Sequence, residues 1–130
     1  MRKGFTLIEI LLVMTLIGVM LSVVLPVSYS MVKRYQESLE AEKVLMLLSS
    51  LRRESFLYSR EMRIETQEGG LIMGDHEEKR FKAVFIHADQ PILFYKNGTS
   101  SGGQLGLRME SGSYLIQIQG PSGDMKLVRQ

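Results

Sequence analysis

The feature that most limits the fold of this 130-residue chain is an apolar run of about 21 residues that ends near Leu25. A helix of about 20 apolar residues is long enough to cross the hydrocarbon core of a bilayer. The run contains Thr6, Thr15 and Ser22, whose hydroxyl groups a helix satisfies through its own carbonyls, and one carboxylate, Glu9. A charged side chain in a membrane helix costs roughly 2.5 to 3.5 kcal/mol, and less near one end of the span. Glu9 therefore needs an explanation.

Glu9 has two explanations at the level of the sequence. In the first, its side chain reaches the membrane surface or is protonated. In the second, a peptidase cuts after Gly4, so that Phe5 becomes an ammonium group at the head of a helix whose first amides are unpaired. Glu9 lies about one helical turn further along and can pair with the Phe5 ammonium of its own chain or of a neighbouring copy. Such a pair in lipid would fix the register of an assembly.

The residues Gly4-Phe5-Thr6-Leu7-Ile8-Glu9 follow a short basic leader, Met1-Arg2-Lys3, and open the apolar run. This arrangement resembles the processing and methylation signal of type IV pilins and type II secretion pseudopilins. The resemblance implies that a membrane-embedded prepilin peptidase cleaves between Gly4 and Phe5 and methylates the amino group of Phe5. It also implies that Glu9 recruits the subunit to a growing filament by pairing with the Phe5 terminus of a neighbour.

Length and composition fit one small domain on an anchor. About a hundred residues lie outside the anchor, enough for a modest core of a helix on a sheet. The net charge of +2 gives no electrostatic argument for nucleic acid, and the absence of cysteine excludes disulfides and cysteine metal sites. A secretory signal peptide is the competing explanation of the start of the chain. Its apolar region is about 7 to 15 residues long and ends at small residues, and neither property occurs here.

We therefore divide the chain into a leader (1–4), a transmembrane and assembly segment (5–27) and a pilin-like globular domain (28–130). Charges do not decide the orientation, because basic residues flank the run on both sides. The resemblance implies a single pass through the inner membrane with the domain on the periplasmic side. Gly18 and Pro26 interrupt the run; proline breaks helical hydrogen bonding, so we expect either a kink near Pro26 or the exit from the membrane there.

An amphipathic helix is predicted for about residues 28–59, which with the anchor makes one helix of about fifty residues. Apolar residues that recur at three- and four-residue steps form the face predicted to be buried against the protein's own sheet. Charged residues such as Glu42 and Arg53 fall on another side. An earlier apolar stripe, from Tyr29 to Leu39, lies on a different part of the helix. It packs either on neighbouring subunits or on the protein's own sheet. The predicted buried residues are Ala41, Val44, Leu45, Leu48 and Leu51; the earlier stripe is Tyr29, Val32, Tyr35 and Leu39.

Short β-like runs separated by turn residues fill about residues 63–130. Gly69-Gly70 predicts a hairpin, Gly74 to Lys79 a polar loop, and Asn97-Gly98 a further turn. The last three runs predict an antiparallel meander with Tyr114, Ile116 and Ile118 on one face. The predicted strands are Arg63–Thr66, Leu71–Met73, Phe81–Ile86, Ile92–Tyr95, Leu105–Met109, Tyr114–Ile118 and Met125–Val128. The predicted fold class is α+β and pilin-like: a long helix, transmembrane in its first half, packed on an antiparallel sheet.

The carboxy-terminal part carries a second resemblance. The segment from Phe94 to Leu105, with its Asn97-Gly98 turn and Ser101-Gly102-Gly103 stretch, precedes a closing hairpin that runs from Tyr114 to Leu127. This order is similar to that of GspH/FimT-type minor pseudopilins, and the competence pseudopilins of Gram-positive bacteria close in a similar way. The resemblance implies a minor, tip-associated subunit.

No arrangement of residues points to catalysis or to a cofactor. His76 and His87 are far apart in sequence and are interpreted as a loop and a strand-end residue. Asp75, Glu77 and Glu78 allow a calcium site but lack the spacing of an EF-hand, so a solvated loop is the simpler interpretation. The Ser101-Gly102-Gly103 stretch is interpreted as a flexible turn, because it lacks the context of a phosphate-binding loop. Asn97-Gly98-Thr99 fits a glycosylation acceptor as well as a turn.

Three functions follow from these observations. The first is a minor pseudopilin whose partners are the prepilin peptidase, other pseudopilins, the inner-membrane assembly platform and lipid. The second is a minor pilin of a type IV or competence pilus, in which Lys126 and Arg129 contact DNA phosphates rather than serving as solvated strand-end residues. The third, an ordinary binding domain or enzyme on a membrane anchor, leaves the combination of Gly4, Phe5 and Glu9 unexplained.

Overall fold

The structure is a computed structural model that describes residues 4–75 and 77–130. The first three leader residues and His76 lie outside the described part of the chain. One helix, α1 (Leu7–Leu57), precedes the strands. The described strands are β1 (Met62–Gln67), β2 (Gly70–Met73), β3 (Glu77–Lys79), β4 (Phe85–His87), β5 (Ile92–Phe94), β6 (Gly103–Arg108), β7 (Ser113–Ile118) and β8 (Met125–Arg129).

The predicted helix of about fifty residues is confirmed, since α1 contains 51 residues. Its apolar part satisfies polar side chains internally, as expected: Thr15 Oγ1 donates to the Leu11 carbonyl at 2.8 Å and Ser22 Oγ to the Val19 carbonyl at 2.7 Å. Pro26 lies inside α1, which continues on both sides of it. A kink at Pro26 or at Gly18 stays a prediction.

The contacts within the chain define two compact units, and the boundary falls between Tyr35 and Gln36. In the described part of the first unit, no side chain from Phe5 to Val32 is buried. Among the described residues, one helix is long and apolar enough to cross a membrane by length and composition, with a mean hydropathy of 2.7 in its most apolar window. The predicted anchor is therefore consistent with the first unit.

In the second unit, α1 buries one face against the strands. Ala41, Val44 and Leu48 are fully buried and Leu51 nearly so, which confirms the predicted spacing, whereas Leu45 is only half-buried at the edge. Glu42 and Arg53 on the opposite side are exposed, as the periodicity requires. The buried residues of α1 join those of the strands in one hydrophobic cluster.

The strands form two four-stranded sheets, and all their pairings are antiparallel, with orders β3-β2-β1-β5 and β4-β6-β7-β8. The α+β class is confirmed, but the β-region is two sheets rather than one. The predicted meander is confirmed as β6-β7-β8, and Tyr114, Ile116 and Ile118 face the core. The predicted hairpin is confirmed as β1-β2, although its turn is Glu68-Gly69 and Gly70 already belongs to β2.

Two predicted segments were wrong. The polar loop Gly74–Lys79 contains a strand, β3, whose three residues are all exposed and pair with β2 at the edge of the sheet. An edge position tolerates charged residues because one side of the strand faces solvent. The predicted strand Phe81–Ile86 is reduced to β4, because the chain turns before it and Ala83 has a positive φ of 60°.

Candidate functional site

The candidate site is the amino-terminal end of α1. The Ile10 amide donates to the Thr6 carbonyl at 3.2 Å, so Thr6 is the residue that caps the helix. Two reciprocal bonds join it to Glu9: the Glu9 amide donates to Thr6 Oγ1 at 3.2 Å, and the Thr6 amide donates to Glu9 Oε2 at 3.3 Å. This is a capping box, in which a hydroxyl and a carboxylate three residues apart each satisfy an unpaired amide.

The capping box fixes the place of the Glu9 carboxylate. It lies at the positive end of the helix dipole, where a negative charge is favourable. It also accepts a hydrogen bond from the Thr6 amide, so an ammonium formed on Phe5 would be the next backbone nitrogen along the chain. The capping role was missed at the level of the sequence, although the Thr-x-x-Glu pattern before an apolar run is its usual signal.

The predicted cleavage site lies just outside the helix. Gly4 is exposed, and a Cβ atom built on it meets nothing within 4 Å, so the fold of the chain itself does not require glycine there. Phe5 is 86% exposed. Phe5 and Glu9, with Ile10, Val13 and Met14, line a shallow groove of about 220 Å³. The arrangement offers an accessible peptide bond, an apolar surface and one fixed carboxylate.

Comparison with protein families gives a match to the prokaryotic N-terminal methylation motif at residues 1–25. The motif indicates a type IV pilin-like protein. It implies processing by a prepilin peptidase and assembly with other pilins, and the apolar helix is consistent with membrane anchoring. Comparison of the chain with curated proteins and with solved structures gives no match.

The other residues singled out from the sequence do not converge on one site. Lys126 and Arg129 are exposed on β8, but they are three positions apart and therefore point to opposite faces of the strand. Lys126 pairs with Gln117 and Arg129 with Tyr114. The two cations do not form a patch on either face of the sheet.

The structure also places His87 and the acidic residues that were candidate metal ligands. His87 is the last residue of β4, as predicted, and its Nε2 lies 2.9 Å from Asp89 Oδ1. Among the described residues, no group of three or more histidine and acidic side chains is placed to hold a metal ion. Glu78 instead accepts a hydrogen bond from Arg80 Nε at 2.6 Å, and that bond and the attraction of the carboxylate raise the pKa of Arg80.

The Asn97-Gly98 segment is a turn, as predicted. The Gly98 amide donates to the Tyr95 carbonyl at 3.0 Å, and Asn97 Oδ1 accepts from Thr99 Oγ1 at 2.6 Å. The Ser101 amide donates to the Leu93 carbonyl at 2.9 Å, and Ser101 Oγ accepts from the Leu93 amide at 3.0 Å. The Ser-Gly-Gly stretch is therefore tied to β5 by these bonds.

Arg52 is a structural residue that the sequence did not reveal. Its Nε donates to the Gly98 carbonyl at 3.1 Å and its Nη2 to the Ser122 carbonyl at 2.6 Å. It thus joins α1 to the turn after β5 and to the connection between β7 and β8. A Cβ atom on Gly123 would lie 2.7 Å from Arg52 Nε, so glycine at that position makes the close approach possible.

Glu37 is a second structural residue that the sequence did not reveal. It is buried, and its carboxylate accepts hydrogen bonds from the amide of Ser111, at 3.2 Å, and from the Ser111 hydroxyl. Ser111 lies in the turn between β6 and β7. A buried carboxylate needs such donors, so this contact fixes the start of the second unit's helix against the meander.

Proposed function

We propose that this chain is a minor pseudopilin of a type II secretion system, of the GspH/FimT type. It acts as a structural subunit and not as an enzyme: it helps to start or cap a periplasmic filament whose growth drives folded proteins out of the cell. The observation that carries the proposal is the Glu9 carboxylate, which the capping box holds one residue from the cleavage site at the head of an apolar helix.

The proposed mechanism uses cleavage to create a charge. Before cleavage, the Glu9 carboxylate is satisfied by the Thr6 amide of its own chain. Cleavage after Gly4 leaves an ammonium on Phe5, and methylation keeps that positive charge. An ion pair is strong in a low-dielectric medium, whereas a lone charge there is costly. A subunit at the base of a filament therefore gains free energy when its Glu9 meets the Phe5 ammonium of the neighbour above it.

The assignment to a secretion system rests on the resemblance of the closing segment to GspH/FimT-type proteins. The alternative is a minor pilin of a type IV or competence pilus that takes up DNA. That role would need basic residues gathered on one surface, because affinity for DNA comes mainly from phosphate contacts. Lys126 and Arg129 point to opposite faces of β8, which makes them a weak phosphate site.

The test of assembly compares two variants in a cell that holds the secretion genes. Glu9→Ala should still be cleaved but should be missing from filaments, because the ion pair is lost while the cleavage site is intact. Gly4→Leu should leave a full-length precursor in the membrane. Intact mass of the membrane-extracted protein reports cleavage and methylation, and cross-linking to other pseudopilins reports incorporation. Normal incorporation of Glu9→Ala would contradict the ion-pair mechanism.

A second test separates secretion from DNA uptake. Deletion of the gene should abolish export of a folded substrate of the secretion system, and the unaltered gene should restore it. In a gel-shift assay over several salt concentrations, the protein in detergent should not bind duplex DNA. Salt-sensitive binding that is lost in the Lys126→Ala, Arg129→Ala double variant would favour the pilus or competence function instead.

A further inference from the structure

The part of α1 that follows Pro26 carries an aromatic and a basic side chain where the apolar run ends. Tyr29 is 70% exposed and Arg34 is also exposed. Between residues 10 and 36 the charged side chains in the sequence are Lys33 and Arg34, and both are basic. Lys33 has a further interaction within the chain.

The rise of a helix gives the depth of these residues in a bilayer. Leu16 is the middle residue of the predicted span 5–27. At 1.5 Å per residue, Tyr29 lies about 20 Å and Arg34 about 27 Å along the axis from Leu16. A typical tilt of about 20° reduces these depths to about 18 and 25 Å. The hydrocarbon core ends about 15 Å from the bilayer centre and the headgroup region about 20 to 22 Å from it.

Tyr29 therefore lies at the boundary between hydrocarbon and headgroups, where amphipathic aromatic rings are favoured. Arg34 lies just beyond the headgroups, but side chains on a helix point back toward its amino terminus, and a long basic side chain reaches the interface. Its guanidinium matches the geometry of a phosphate. The stretch between residues 10 and 36 has no acidic side chain, and the carboxylate of the next acidic residue, Glu37, is buried and bound by Ser111.

We propose that Tyr29 and Arg34 bind anionic phospholipid headgroups and thereby set the depth of α1 in the membrane before the subunit enters a filament. This inference rests on the proposed function as a membrane-anchored subunit. It has a consequence for the opposite end of the span: Phe5, about 16 Å from Leu16 along the axis, is held at the other surface, while Glu9, about 10 Å from Leu16, stays within the hydrocarbon.

The absence of tryptophan from the sequence allows a direct measurement of depth. Three full-length variants each carry one tryptophan: Leu16→Trp, Tyr29→Trp and Tyr58→Trp. Tyr58 lies in the second unit and is 67% exposed, so it matches Tyr29 in exposure. Each variant is reconstituted into vesicles of phosphatidylethanolamine and phosphatidylglycerol that contain lipids with a spin label near the headgroup or deep in the acyl chain. We expect deep quenching for Leu16→Trp, shallow quenching for Tyr29→Trp and none for Tyr58→Trp.

The role of Arg34 is tested in the Tyr29→Trp background. Shallow-labelled phosphatidylglycerol should quench more than equally labelled phosphatidylcholine, because one basic residue near an anionic surface favours the anionic lipid about fivefold. Arg34→Gln should bring the two lipids to equal quenching. Arg53→Gln, a change of the same kind at an exposed position of the second unit, should leave the difference intact.

The outcomes separate this inference from the function on which it rests. If Leu16→Trp escapes the deep label, the anchor itself is wrong, and with it the proposed function. If Leu16→Trp is quenched deeply but Tyr29→Trp is quenched deeply or not at all, the anchor stands and the interfacial contact is refuted. Equal quenching by the two lipids with Arg34 intact would refute the preference for anionic headgroups.

Discussion

At the scale of single residues, Thr6 and Glu9 show how one short pattern serves two purposes. The sequence presents them as part of a processing signal, and the fold uses them to start a helix. Both roles place the carboxylate in the first turn. The capping box can therefore be tested in the isolated protein, without filaments.

We predict that Thr6→Val weakens the first turn of α1 by about 1 kcal/mol, because the Glu9 amide loses its acceptor. Hydrogen exchange of the Glu9 amide in detergent should accelerate about fivefold. Thr15→Val is the control: the Thr15 hydroxyl donates to a carbonyl and no amide depends on it, so exchange at the helix start should not change. Equal exchange in Thr6→Val and the unaltered chain would contradict the capping box.

Arg52 allows a second prediction at this scale. Replacing it with glutamine removes two charge-assisted bonds, to the Gly98 and Ser122 carbonyls, and should lower the free energy of unfolding by about 1 to 2 kcal/mol, since water partly replaces bonds at a half-exposed site. Urea unfolding in detergent measures the change. The neighbouring Arg53→Gln should change stability by less than about 0.5 kcal/mol. Similar losses in both variants would mean that Arg52 contributes only its charge.

At the scale of elements, the β1-β2 turn shows why one glycine is required. Gly69 has a φ of 80°, and a Cβ atom there would lie 2.6 Å from Phe85 Cδ2. Gly69→Ala should therefore cost about 2 kcal/mol, from the left-handed backbone and the displaced ring. Gly112→Ala, where a Cβ meets nothing within 4 Å, should be close to neutral. Urea unfolding of both variants tests this, and a neutral Gly69→Ala would contradict the turn geometry.

Local sequence patterns determined which helices and strands could be predicted. The long helix, the β1-β2 hairpin and the β6-β7-β8 meander each follow from periodicity or from turn residues that lie close together in sequence. The strand β3 was missed because Glu77, Glu78 and Lys79 have low β propensity and pair only because β2 offers an edge. Arg52 was missed because its carbonyl partners are 46 and 70 residues away in sequence.

At the scale of the whole molecule, the buried core has a clear consequence for the anchor. Every buried apolar residue among those described lies between Ala41 and Ile118, in the second unit. The first unit should therefore add membrane affinity but little folding free energy to the domain. The predicted domain boundary at residue 28 and the unit boundary after Tyr35 enclose the same core.

We predict that fragments starting at Ser28 and at Val32 are both soluble without detergent and unfold with the same free energy to within about 0.5 kcal/mol. A fragment starting at Leu39 lacks Glu37, so the Ser111 amide and hydroxyl lose their acceptor, and it should be less stable by about 1 to 3 kcal/mol. Glu37→Gln in the Ser28 fragment controls for the shorter helix, because it keeps the chain length while it removes the charge and one of the two acceptor oxygens. If the Val32 fragment were clearly weaker than the Ser28 fragment, residues 28–31 would belong to the folded domain and the division of the chain would have to move toward Pro26.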